Sequence, residues 1–174
     1  MAKVIVFSSI TAGGKTTLIH QLSTMLDNSV VISFDDYNID ALPSAPSLDT
    51  PIEIAVNQYD IHQLVNDLLA AIAKKAFILV DFPFGNRHGS LSPYIDTTIY
   101  IKTPLDITFS RIILRDFANK TQQEILEWSE TYLTFARPIF VNHDNYVSET
   151  ADLLLDGSLS VSDNIQKVLK FLES

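Results

Sequence analysis

Cysteine is absent from the 174 residues, which excludes disulfide staples, thiolate metal sites and a thiol nucleophile. Cations are scarce too: 12 Lys and Arg stand against 21 Asp and Glu, a formal net charge of -9. Such a chain repels a phosphate backbone, so nucleic acid is not an expected partner. A phosphorylated small molecule remains compatible, provided the few cations and some backbone N–H groups converge at one place. No apolar run approaches the roughly 18 residues that a membrane span needs, and no secretion signal is visible at Met1. The expectation is one cytoplasmic domain over residues 1–174 without a membrane partner, for which assembly into a homo-oligomer is left open. There is also no G-x-S-x-G nucleophile turn, and the histidines lack metal-ligand spacing. His20, His62 and His143 therefore read as surface or capping residues.

Apolar runs alternate with helical periodicity. Val4–Phe7, Val30–Phe34, Phe77–Phe82, Thr97–Ile101 and Asp152–Asp156 read as five strands, most of them short, apolar and rich in β-branched residues. Helices are expected over Lys15–Leu26, Ile61–Ala73, Pro104–Phe117, Gln122–Phe135 and Val161–Leu172, the last capped by Ser160 or Ser162. Residues 38–58, with Pro43, Pro46 and Pro51, read as a loop with a short helix near Ile52–Val56. Strand–helix alternation predicts an α/β/α three-layer fold with a five-stranded parallel sheet.

The first strand runs into Ser9-Ile10-Thr11-Ala12-Gly13-Gly14-Lys15-Thr16-Thr17 and then a helix. That is the context in which G-x-x-x-x-G-K-[ST] acts as a phosphate loop (P-loop), here with Ser9 in place of the first glycine. The loop backbone and the helix N-terminus would cradle phosphates. Lys15 would reach the β- and γ-phosphates of ATP, and the Thr16 hydroxyl would ligate Mg2+. Carboxylates stand at the ends of two further strands, Asp35-Asp36 and Asp81, where open parallel sheets bind ligands. Asp81 has the position of a magnesium-holding acid. Asp35 or Asp36 could take a proton from an attacking hydroxyl, with Asp35 favoured. Arg87 and His88 follow Asp81 in a loop that could border an acceptor pocket, or face solvent.

These residues resemble the uridine kinase and nicotinamide riboside kinase group of P-loop small-molecule kinases. TAGGKTT is similar to the group's phosphate loop and VISFDDY to its second-strand motif, which implies Asp35 as the catalytic carboxylate, with Asp36 and Tyr37 beside the substrate. The resemblance assigns the acid that contacts sugar hydroxyls to Asp60 in Gln58-Tyr59-Asp60-Ile61, with Asp49 as the alternative. It makes Arg111 and Arg115 the arginines of a helical lid, roughly residues 111–137, acting on the transferring phosphoryl group; a helix-face salt bridge is the alternative for both. Phe135-Ala136-Arg137-Pro138 and Thr150-Ala151-Asp152 match later landmarks. The sequence departs from the group at Asp81-Phe82, where glutamate and glycine are usual, and in a lid offering only Lys120 before Thr121-Gln122-Gln123. The function implied is ATP-dependent transfer of the γ-phosphate to a hydroxyl of a small molecule, a nucleoside or riboside. A nucleoside monophosphate kinase, a regulatory NTPase and a binding module are the competing readings. The Asn-Lys-x-Asp guanine reader is not matched, since Asn119-Lys120-Thr121-Gln122 lacks the acid.

Overall fold

A computed structural model describes residues 2–173. Five strands form one sheet in the order β2-β3-β1-β4-β5: β1 (Lys3–Ser8), β2 (Ser29–Ser33), β3 (Phe77–Asp81), β4 (Thr97–Lys102) and β5 (Leu153–Asp156). Every pairing is parallel. The chain fills one side of β1 first and then crosses to the other, so the strand order reverses beside the carboxyl end of β1. That is where sheets of this kind form a ligand crevice.

Alternation along the strands builds a core on each face. Val4 and Val6 of β1 and Ile78 and Val80 of β3 point to one side. There they meet Leu64 and Leu68 of α3 (His62–Ile72). Ile5, Phe7 and Leu79 point to the other side, joining Leu18, Ile19 and Leu22 of α1 (Lys15–Ser23). Ile165 and Val168 of α7 (Val161–Leu172) complete that layer. Residues of one strand can bury both faces only when helices cover both, which is the three-layer arrangement the alternation predicts. Ser160 caps α7 by accepting from the Asp163 N–H.

The short helix α2 spans Ile52–Ala55. The sequence reading of β2 runs one residue too far. Phe34 opens a 3-10 turn, Phe34–Tyr37, because its ring is buried among Tyr59, Phe82 and Phe84 at centroid distances of 6.0, 5.6 and 6.2 Å. The helix α4 (Leu105–Asp116) is followed by α5 (Gln122–Thr131), whose start is fixed by a capping box between Thr121 and Glu124. A π-helical turn, Tyr132–Ala136, then leads directly into α6 (Arg137–Ser148). The sequence reading contains no α6. Pro138 resembles a helix breaker, yet it stands within a continuous helical run, directly after the π-helical turn that departs from the regular i→i−4 ladder a proline interrupts.

Candidate active site

The register brings the phosphate loop and the acids together. Phe7 of β1 pairs with Asp81 of β3, and Asp81 with Ser33 of β2, so all three strands end at one level. Ser8 Oγ donates to the Phe82 carbonyl at 2.7 Å, locking the exit of β1 to the exit of β3. Asp81 is 3% exposed, and a carboxylate so deep requires partners. It has two. Lys15 Nζ lies 3.1 Å from Oδ1, and the Thr16 hydroxyl donates to Oδ2 at 2.9 Å.

The loop itself is close-packed. A Cβ added to Gly13 would meet the Ser9 side chain at 2.6 Å. The side chain standing at the first glycine position is thus accommodated by the hydrogen at Gly13. Gly14 has φ 97° and Ala12 φ 59°; both are left-handed, so the loop tolerates an L side chain there once, at Ala12. Thr103, just after β4, donates to the Gly13 carbonyl at 2.8 Å. Gly157 allows Thr103 to sit there, since a Cβ at 157 would overlap the threonine hydroxyl. Arg111 of α4 donates to the carbonyls of Ala12 at 3.3 Å and Gly157 at 3.4 Å. The guanidinium thereby spans the loop and the β5 exit.

A cleft of about 810 Å³ opens above the loop and is lined by every residue from Ser9 to Thr17, with Asp35, Asp81, Arg111 and Arg115. Arg115 forms a two-point ion pair with Asp116, at 2.7 and 2.8 Å. That hydrogen bonding holds its guanidinium above its ordinary pKa, and the charge of Asp35 adds to the effect. Arg115 therefore combines both sequence readings, paired along its helix and facing the cleft.

The far end of the cleft has another character. Phe34, Tyr59 and Phe84 form its wall, Tyr59 and Phe84 being stacked at 5.0 Å. Leu48, Ile52 and Ala55 also line the cleft, as do Ile139, Phe140 and His143 of α6. Asp35 and Asp40 supply its carboxylates. The only Lys or Arg side chains lining the whole cleft, among the described residues, are Lys15, Arg111 and Arg115.

Several residues expected at the substrate lie elsewhere. Asp60 is exposed and accepts from the backbone N–H of His62 at 3.1 Å, with the His62 ring at 2.8 Å. Its place is the start of α3 rather than the cleft. Asp49 is bound to Ser47. Arg87 donates to the Tyr146 carbonyl at 2.9 and 2.6 Å, lies over the Tyr146 ring and pairs with Glu149; it fastens the loop after β3 to α6. His88 is buried, with Nε2 at 3.1 Å from the Tyr59 carbonyl and Nδ1 accepting from the Ser90 N–H. That donor set fixes a neutral tautomer, in line with a pKa lowered by burial. Asp36 is exposed outside the cleft lining, and Tyr37 donates to Asp67 at 2.8 Å. Conversely, His143 stands in the cleft wall instead of at the surface.

The fold and the loop together define a P-loop α/β architecture. No protein-family model matches the chain. Among curated proteins, the uridine kinase of Shewanella frigidimarina (strain NCIMB 400) is 27% identical over 107 residues, 60% of this chain and 49% of that protein. The match thus spans about half the length of that relative. Shikimate kinase from Aquifex aeolicus superposes with a TM-score of 0.54 at 18% identity, over 98% of this chain and 96% of that one. An uncharacterized protein from Eubacterium ventriosum ATCC 27560 gives 0.57 at 14% identity, covering 99% of both chains. The shikimate kinase from Bacteroides thetaiotaomicron gives 0.52 at 14%, with the same coverage. What this chain shares with these structures is the fold. Among the described residues no helix is long and apolar enough to cross a membrane.

Proposed function

We propose that this chain is an ATP-dependent phosphotransferase that moves the γ-phosphate of ATP to a hydroxyl of a small molecule, a nucleoside or riboside. The observation that carries the reading is the Lys15–Asp81–Thr16 cluster at the mouth of α1, in one cleft with Asp35 and two arginines. A fold alone does not fix a function; this constellation supplies what phosphoryl transfer needs.

The backbone of residues 9–16 and the N-terminus of α1 suit the phosphates, and Lys15 sits beside them. The Thr16 hydroxyl and the Asp81 carboxylate are hard oxygen donors of the kind magnesium prefers. No cluster of three or more acidic, His or Cys side chains competes with that assignment among the described residues. Bound there, Mg2+ would neutralise phosphate charge. Asp35 faces the loop from across the cleft and serves as general base. As the acceptor oxygen bonds to the γ-phosphorus, its proton passes to Asp35, the bond to the β–γ bridging oxygen breaks, and ADP departs. Arg111 and Arg115 stabilise the charge on the transferring group. They sit on α4, at the edge of a lid extending through α5.

Apart from Lys15, Arg111 and Arg115, which serve the transferring phosphate, no Lys or Arg among the described residues lines the cleft to meet an acceptor's own phosphate or carboxylate, and Asp40 adds negative charge. This favours an uncharged, ring-bearing alcohol over a nucleoside monophosphate or an acid such as shikimate. The test is a screen of nucleosides, ribosides and cyclic acids for ATP-dependent phosphate ester formation by wild type and Lys15→Ala. Product from uncharged ribosides that requires Lys15 is the expected result. Turnover of shikimate alone would refute the acceptor class.

A further inference from the structure

The two partly or fully buried histidines near the cleft differ in one respect. Both nitrogens of His88 are engaged by backbone groups, so its role is to hold the loop. His143 has a buried Nδ1 with no hydrogen-bond partner, yet its ring lines the cleft and lies 5.8 Å from the Phe84 ring. A buried polar atom without a partner calls for a physical explanation. In a wall otherwise made of Phe34, Tyr59, Phe84 and Phe140, a phenylalanine would fill the space with no unsatisfied atom. The imidazole also lies within reach of the Pro83 carbonyl and of the charges of Asp144 and Lys15, to which a phenylalanine could not respond.

Resting on the phosphotransferase reading above, we propose that His143 is the specificity-determining residue of the acceptor chamber. Its imidazole hydrogen-bonds the polar edge of an acceptor whose flat ring lies against Phe84. The aromatic wall selects a planar, apolar face, and one fixed polar group on that wall sets which edge is accepted, because a mismatched edge leaves a buried group unpaired. Burial lowers the pKa of His143 to about 4, the Pro83 carbonyl opposing part of the effect. The side chain therefore works as one donor and one acceptor, without charge, across the physiological range. It sits on α6 and lines the same cleft as Asp35, the base for the reacting hydroxyl.

The experiment starts from the best acceptor in a panel of uridine, cytidine, adenosine and shikimate. Steady-state kinetics with that acceptor are then measured for wild type, His143→Phe and His143→Gln, alongside ATP affinity and melting temperature. His143→Phe is expected to raise the acceptor KM by about tenfold or more, with kcat and ATP affinity held within about threefold. His143→Gln, which keeps a donor and an acceptor, recovers most of that loss and changes the ranking of the panel. In wild type, the imidazole NMR signals of His143 move when the acceptor is added, a readout that does not depend on any variant folding. The inference is overturned by an acceptor KM within about twofold of wild type in His143→Phe, by an equal loss of ATP affinity, or by unmoved His143 signals. If wild type phosphorylates nothing in the panel, the phosphotransferase reading falls first and takes this inference with it. If wild type turns over a panel member while His143→Phe behaves like it, only the inference falls.

Discussion

The two ends of the cleft are built on opposite principles. At the phosphate end, each polar group is tied to the sheet: Asp81 to Lys15 and Thr16, Gly13 to Thr103, and the β1 exit to β3. The acceptor end is assembled from a 3-10 turn, the loop residue Leu48, the short α2, the segment after β3 and one face of α6. Leu48 is 74% exposed, and the segment after β3 is held by side chains, Arg87 on Tyr146 and Glu149, Asn86 on Thr150 and His88 on the Tyr59 carbonyl. A rigid end suits the proposed phosphate chemistry, which does not vary with the acceptor. An end made of separable pieces suits recognition, since each can change without disturbing the sheet.

The largest effect is expected where this contrast is most extreme. Lys15→Ala should lower kcat/KM by about 100- to 1000-fold, the scale for losing one transition-state charge partner, with ATP affinity reduced in calorimetry. The variant also leaves the buried Asp81 with a single partner, so melting curves belong beside the kinetics. Unchanged ATP affinity would remove the phosphate end from the site. Asp35 lines the same cleft. Asp35→Asn should depress turnover by about 100-fold while ATP binding stays nearly intact. Full turnover in that variant would mean that the base is elsewhere.

A third experiment breaks the packing of the phosphate loop and repairs it. Gly13→Ala drives a methyl into Ser9 and should weaken ATP binding by about tenfold, a coupling of the size seen between residues in contact. Ser9→Gly added to it removes the serine side-chain atoms and leaves the Ile10 carbonyl at 2.9 Å, so it should restore part of the loss. Additive effects of the two substitutions would show that Ser9 and Gly13 do not compensate each other. The lid gives a fourth. Arg111 already bridges the loop and β5, whereas residues 117–121 lie between helices with little buried surface. Hydrogen exchange in residues 111–124 should slow when a non-hydrolysable ATP analogue binds. Identical protection in both states would count against closure.

The same contrast governs what could be read from the sequence. The sheet and the phosphate loop were legible because they rest on local, repeating signals: alternation at Val4–Phe7, β-branched strands, and a glycine turn between strand and helix. The acceptor chamber has no such signal. Phe34, Tyr59, Phe84 and His143 are far apart in the chain and meet only through the sheet order and the packing of α6. That helix was hidden because Pro138 punctuates it in sequence while standing within a continuous helical run in the fold. Asp60, Arg87 and His88 failed in the opposite way. They lie beside motif residues, but sequence proximity does not say which way a side chain points. Thr121 and Glu124 did carry a readable signal, the capping-box spacing that opens α5.

Asp60 sharpens the boundary of the chamber through the smallest expected effect. Its carboxylate hydrogen-bonds the N–H and ring of His62 and does not line the cleft. Asp60→Asn should therefore leave both KM values and kcat within about twofold of wild type. A larger rise in acceptor KM would extend the chamber to the start of α3 and restore the sugar-contacting role implied by the family resemblance. Stability should carry a different signature. Hydrogen bonds from His62 hold the Asp60 carboxyl below its ordinary pKa. A depressed folded-state pKa contributes stability above the unfolded value of about 3.9 and loses it as pH falls through the folded value. The gap in melting temperature between wild type and Asp60→Asn should accordingly be small at about pH 6 and narrow further toward about pH 3. A gap that widens on acidification would mean that the carboxylate is not stabilised by His62. Kinetics that stay flat while the melting gap closes with acid would place Asp60 in the folding of α3 and leave acceptor recognition to α6 and the aromatic wall.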